Sequence, residues 1–110
     1  MSAVAVRERY TETLRVFGEV DALVNEAVEQ YLIHRIIERI RLAREKAKEF
    51  EKRYGADYEA FSRRVQLDEA FYDQVNARNP LWEQDALEWK YWDEEARDWT
   101  GKLSSILSRS

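Results

Sequence analysis

The sequence predicts an all-α fold: a long helical hairpin or bundle with coiled-coil-like seams, expected as a homodimer. Three observations carry that expectation. Gly occurs three times and Pro once in 110 residues, so long stretches are free of helix breakers. Residues 22–54 contain neither, and their apolar positions recur every three or four residues. Trp82, Trp89, Trp92 and Trp99 follow one another at intervals of seven, three and seven, which places all four on one stripe of a helix.

Composition narrows the class further. A chain of 13.2 kDa is one domain, here 1–110. Without cysteine, neither a disulfide framework nor a thiolate metal site can form. No window approaches the ~18 consecutive apolar residues of a membrane span, and no basic segment followed by an apolar core opens the chain. A soluble, cytoplasmic protein without a membrane partner is expected. The net charge of −4 is uneven: residues 1–56 hold eleven Lys/Arg against ten Asp/Glu, and residues 57–110 hold seven against twelve. Such a contrast serves an intramolecular clasp, an antiparallel dimer, or binding to partners of opposite charge. A solvated helix face of alternating charge is the simpler account.

Residues 1–19 read as a strand or a short helix. Ala3–Arg7 suits either, Thr11 is placed to cap a helix through Phe17, and Gly18 ends it. Residues 20–54 form one long helix with Asp21 as a cap. Its first half carries the stripe Val20, Val24, Ala27 and Tyr31. Its second carries Ile33, Ile36, Ile40, Ala43, Ala47, Phe50 and Tyr54 in three-four alternation. That second seam needs a long companion, either the C-terminal tryptophan helix or the same helix of another subunit. Gly55 fits a C-terminal cap and Asp57 an N-cap for a helical segment over 57–77, which is one helix if Asp68 sits on its seam and two if the chain breaks at Leu67–Asp68. Asn79-Pro80 then marks the start of an acidic helix over 80–107, with Asn as cap and Pro at the first position. In that helix Ala96, Leu103 and Ile106 extend the tryptophan seam, and Asp85 interrupts it.

No catalytic constellation emerges. His34 is the sole histidine and has Tyr31, not Glu, three residues before it, so the Glu-x-x-His pattern of di-metal bundles is missing. Glycine-rich phosphate loops and nucleophile elbows are equally lacking. Neither an enzyme nor a cofactor is expected. The pI of about 5.1 is wrong for an autonomous nucleic-acid binder. The N-terminus nevertheless loosely follows a strand-helix-helix order, in which Arg7 and Arg9 on paired strands of a dimer would reach operator DNA in the major groove.

The segment Phe50-Glu51-Lys52-Arg53-Tyr54-Gly55-Ala56-Asp57-Tyr58-Glu59-Ala60-Phe61 resembles a pattern of prokaryotic type II antitoxins, as do Trp82–Trp89 and the preceding helix Val24–Leu32. The resemblance implies a protein that binds and neutralises a small basic toxin, often a ribonuclease, and that represses its own operon. Under it, Trp89 and Trp92 are the anchors, with Trp82 and Trp99 along the same ridge, and Glu88, Asp93 and Glu94 place the charge against a basic cleft. The competing expectation is that all four tryptophans pack inside the chain's own hairpin or dimer. The corresponding alternative function is a homo-oligomeric helical scaffold with no toxin.

Overall fold

The computed structural model describes residues 6–108, and these form five helices and no strand. They are α1 (Glu8–Phe17), α2 (Val20–Tyr54), α3 (Tyr58–Leu67), α4 (Glu69–Arg78) and α5 (Trp82–Leu107). The molecule measures 68 × 24 × 20 Å with a radius of gyration of 21.8 Å, against ~13 Å for a compact chain of about 100 residues. The length is that of α2, whose 35 residues rise ~1.5 Å each. α5 packs antiparallel to α2. Phe50 stacks on Trp89 near one end, and Tyr31 and Leu32 lie beside Trp99 and Ile106 at the other.

The seam on α2 therefore finds its companion within the same chain. Ile36, Ile40, Ala43 and Phe50 are buried in this monomer, Ala47 and Tyr54 pack against its core, and Ile33 is half-buried. The expectation that these seven residues form a dimer seam is corrected accordingly: their apolar area is spent on α5, which has the matching length and spacing.

The main core lies where α2 ends. Phe50, Phe61, Val75, Trp82 and Trp89 cluster there, with Tyr58, Val65, Phe71 and Trp92 packed around them. Two local signals bring α3 and α4 onto this cluster. Gly55 adopts φ 74° and ψ 19°, and its N–H bonds back to Glu51 O, the left-handed end that glycine permits without a Cβ clash. Asp57 then caps α3 by accepting from Ala60 N at 2.8 Å.

At Leu67–Asp68 the segment 57–77 divides into two helices. Asp68 has an extended backbone and accepts from Phe71 N at 3.0 Å, so one residue closes α3 and caps α4. Other boundaries move by small steps. Thr11 sits in the first turn of α1 with its hydroxyl donating to Arg7 O, so the helix begins earlier than a Thr11 cap implies. Asp21 falls in the first turn of α2, whose N-cap is Glu19. Asn79 Oδ1 accepts from Leu81 N at 3.1 Å, and helical geometry begins at Trp82 rather than Pro80.

Candidate functional site

Asp85, which interrupts the tryptophan seam, is the centre of a polar node. Its Oδ2 accepts from Tyr54 OH at 2.6 Å, from Arg53 Nη1 at 2.9 Å and from Asn79 Nδ2 at 3.2 Å. Asn79 Nδ2 also donates to Tyr54 Oη at 2.9 Å. The node joins the end of α2, the α4–α5 turn and the first turn of α5. Burial pushes the Tyr54 phenol up to about 12, and the Asp85 carboxylate beside it adds to the rise. For Asp85, burial acts in the opposite sense to its donors. Together the Tyr54 and Arg53 bonds win and hold it below the usual carboxylate range. A carboxylate hydrogen-bonded in this way acts as a structural clamp between the end of α2 and the start of α5.

The tryptophans do not form one exposed ridge. Trp89 is 1% exposed and Trp82 is 9% exposed. Trp89 stacks on Phe50 and Tyr54 and meets Tyr58 and Phe61 at its edges or tilted. Trp82 is held by Tyr72 and Phe61 and donates through Nε1 to Asn76 Oδ1. These two cannot anchor a partner without opening the hairpin. Trp92 and Trp99 are half-buried. Their Nε1 atoms donate to Glu88 and Glu95, one turn earlier, at 3.4 Å each. The packing explains the spacing: a seam of large rings fills the gap between two long helices.

With the rings turned inward, the opposite side of α5 is a distinct surface. Glu83, Leu87, Tyr91, Glu94 and Asp98 recur there at four, four, three and four residues. Leu87 is 71% exposed and Tyr91 53%. Glu88 and Glu95 flank them, and Tyr91 OH lies 3.5 Å from Glu95 Oε1. Lys90 reaches Glu94 at 4.0 Å and Arg97 reaches Asp93 at 3.0 Å, weak exposed pairs along the helix edge. Of the predicted charges, Glu88 borders this outer side and accepts from the Trp92 ring, whereas Asp93 and, at the edge of the outer side, Glu94 line a groove against α3 with Tyr58 and Ser62. Sequence reasoning missed Leu87 and Tyr91 because attention to the tryptophan stripe hides the second, sparser apolar row on the same helix.

The other predicted positions lie apart from this surface. Arg7 has an extended backbone at the start of α1, and Arg9 is helical, with its guanidinium over the Tyr10 ring at 4.8 Å. A strand presenting both arginines is thus not formed over the described part of that segment, and residues 3–5 lie outside the described residues. His34 is exposed and pairs with Glu38 at 3.0 Å. Among the described residues, no group of three or more His, Asp or Glu is placed to hold a metal ion, and no helix is long and apolar enough to cross a membrane.

No family model, no curated protein and no solved structure matches the chain.

Proposed function

We propose that this chain is a non-catalytic binding protein of the antitoxin type, which presents the outer face of α5 to a small basic protein and holds it inactive. The observation that carries the reading is the pair Leu87 and Tyr91, exposed one turn apart within a row of carboxylates. A single exposed leucine is ordinary. An exposed Leu-Tyr pair surrounded by Glu83, Glu88, Glu94, Glu95 and Asp98 combines a contact centre with charge that steers a cationic surface onto it. A cleft built to hold RNA phosphates is such a surface, and a toxin ribonuclease is therefore the partner class that the antitoxin resemblance and the charge both favour. The buried Trp82 and Trp89 add rigidity, since a helix clamped to α2 loses little conformational freedom when it binds.

The motif that carries the resemblance has a folding role as well. Phe50, Tyr54, Gly55 and Phe61 build the corner between α2 and α3, so any relatives sharing it share a hairpin corner first and a partner second.

The experiment is co-expression with the product of the neighbouring reading frame in the native operon. Recovery of a stoichiometric complex and restored growth are expected with the wild-type chain. Both are expected to fail with Leu87→Asp and with Tyr91→Asp, while helicity and tryptophan fluorescence stay unchanged. A complex that tolerates both substitutions, or no complex at all, overturns the reading. The self-associating scaffold is favoured by a different observation, the apolar side chains of α2 that stay exposed, among them Val28, Tyr31 and Leu32.

A further inference from the structure

Beyond Trp99, the last of the tryptophans, α5 presents Lys102, Ser105 and Ile106 to the space beside α2, and none of them is ring-sized. A groove of about 520 Å³ is left open between the two helices there, within the size range of small-molecule sites. Its apolar walls are Leu32 and Ile36 of α2 and Trp99 and Ile106 of α5, with Tyr31 at the outer end. Ile36 is buried, whereas Tyr31 is 64% and Leu32 44% exposed. From Tyr31 to Arg39 the groove follows α2 for about 12 Å, at ~1.5 Å per residue.

Arg35, Arg39 and Lys102 line this groove and no carboxylate does, in a chain whose net charge is −4. The Tyr54–Asp85 and Phe50–Trp89 contacts fix the antiparallel register. Carried along the helices, that register sets Arg39 beside Trp99 and Leu32 beside Ile106. The groove is therefore polarised along its length. Arg39 and Lys102 stand at the inner end, where Lys102 Nζ lies over the Trp99 ring at 4.3 Å, and Tyr31, Leu32 and Ile106 make the outer end apolar. Arg35 stands between them, one turn from Arg39, and like charges at that spacing repel. Arg35 has a weak exposed contact with Glu38 at 3.8 Å, and Arg39 forms no ion pair among the described residues. An anion held among these cations relieves the repulsion, and an alkyl chain attached to it covers the walls.

We infer that this groove binds a medium-chain fatty acid, with the carboxylate at Arg39 and Lys102 and the alkyl chain along Ile36, Leu32 and Ile106. The direction in which polarity changes selects this occupant over an acidic peptide helix. Charge and apolar surface are separated along the groove, as they are in a molecule with one charged end. An amphipathic helix instead separates them across its axis and carries its charges along its whole length. The site uses no residue of the outer face of α5, so Leu87→Asp and Tyr91→Asp are expected to leave it intact, and its failure and that of the toxin-binding reading are separately observable.

The test is isothermal titration calorimetry of the full-length chain with sodium decanoate below its micelle-forming concentration. Saturable, stoichiometric binding is expected. Decanol keeps the chain without the charge and acetate keeps the charge without the chain, and each is expected to bind more weakly by on the order of tenfold or more. The double variant Arg39→Gln/Lys102→Gln is expected to weaken decanoate binding on the order of tenfold. Ser105→Phe, which fills the groove from an exposed position, is expected to abolish it. Helicity and the thermal midpoint of the unliganded chain are expected to stay unchanged in both variants. Absence of saturable binding overturns the proposal, as does binding that decanol matches or that either variant leaves intact. Retention on phosphatidylglycerol vesicles, or binding of an acidic helical peptide, without binding of decanoate would assign the cations to that partner and overturns it as well.

Discussion

The Tyr54 hydroxyl donates to Asp85 Oδ2 at 2.6 Å across 31 residues of sequence, at a position where the tryptophan seam of α5 would otherwise place an apolar side chain. A carboxylate in a helix-helix seam is costly unless its lone pairs are satisfied. Here Arg53 and Asn79 join Tyr54 on the same oxygen, Oδ2. Because every donor comes from the end of α2 or from the turn before α5, the node fixes which turn of α5 lies beside which turn of α2. A single polar residue in an apolar seam is an established way to specify register.

Removing one member of this node leaves the others short of a partner. Tyr54→Phe is expected to lower stability by about 1 kcal/mol, and Asp85→Ala by about 1–3 kcal/mol. The double variant Tyr54→Phe/Asp85→Leu is expected to lose less than the sum of its single changes, since the bond between the two residues is removed by either change and counted only once in the pair. Urea denaturation followed by circular dichroism measures all of these. Additive losses would show that the bond does not couple the two residues.

The node also has a pH signature. Tyr54 titrates near 12 in the folded chain against an ordinary value of 10.0. Its contribution is therefore complete below pH 10 and is lost as the pH rises toward 12. Asp85 is lowered from 3.8, so its contribution is complete above that value and is lost as the pH falls through its depressed folded value. The thermal midpoint is expected to fall at both extremes. Tyr54→Phe should flatten the alkaline limb, and Asp85→Asn the acidic one. Unchanged limbs in these variants would place the titrating groups elsewhere.

Tryptophans on one stripe differ widely in what they hold. Trp89→Ala opens a cavity beside Phe50, Tyr54 and Phe61 and is expected to cost about 3–5 kcal/mol. Trp92→Ala, at a half-buried position, is expected to cost about 1–2 kcal/mol because less area leaves water on folding. Equal losses in a denaturant titration would contradict this ordering.

Gly55 is held at φ 74° with nothing within 4 Å of an added Cβ. Gly55→Ala is therefore expected to cost about 1–2 kcal/mol from backbone conformation alone, and Gly55→Asn less, because Asn tolerates the left-handed region better. A shift of the thermal midpoint in that order is the expected result. A larger loss for Asn would point to side-chain crowding.

Much of this molecule is legible without coordinates, and the physical reason is that the signals are local. Three-four periodicity and scarce breakers predict α2 and α5 within a turn of their ends, and Gly55 and Asp57 act where their chemistry places them. Local signals fail where two local choices are close in energy. Asp68 suited a continuous seam or a cap, and only the packing of Phe61, Phe71 and Val75 around Trp82 and Trp89 favours the bend that makes it a cap.

The sequence by itself determined the helical class, the lengths of the two long helices and the existence of two apolar seams, because backbone periodicity and capping act within a few residues. Only the tertiary structure decided that the α2 seam belongs to α5 of the same chain, that Trp82 and Trp89 face inward, and that Asp85 is a clamp rather than a flaw. Those outcomes depend on which surfaces meet over separations of 30 residues and more, where area, register and hydrogen-bond satisfaction compete, and periodicity carries no record of which competitor wins.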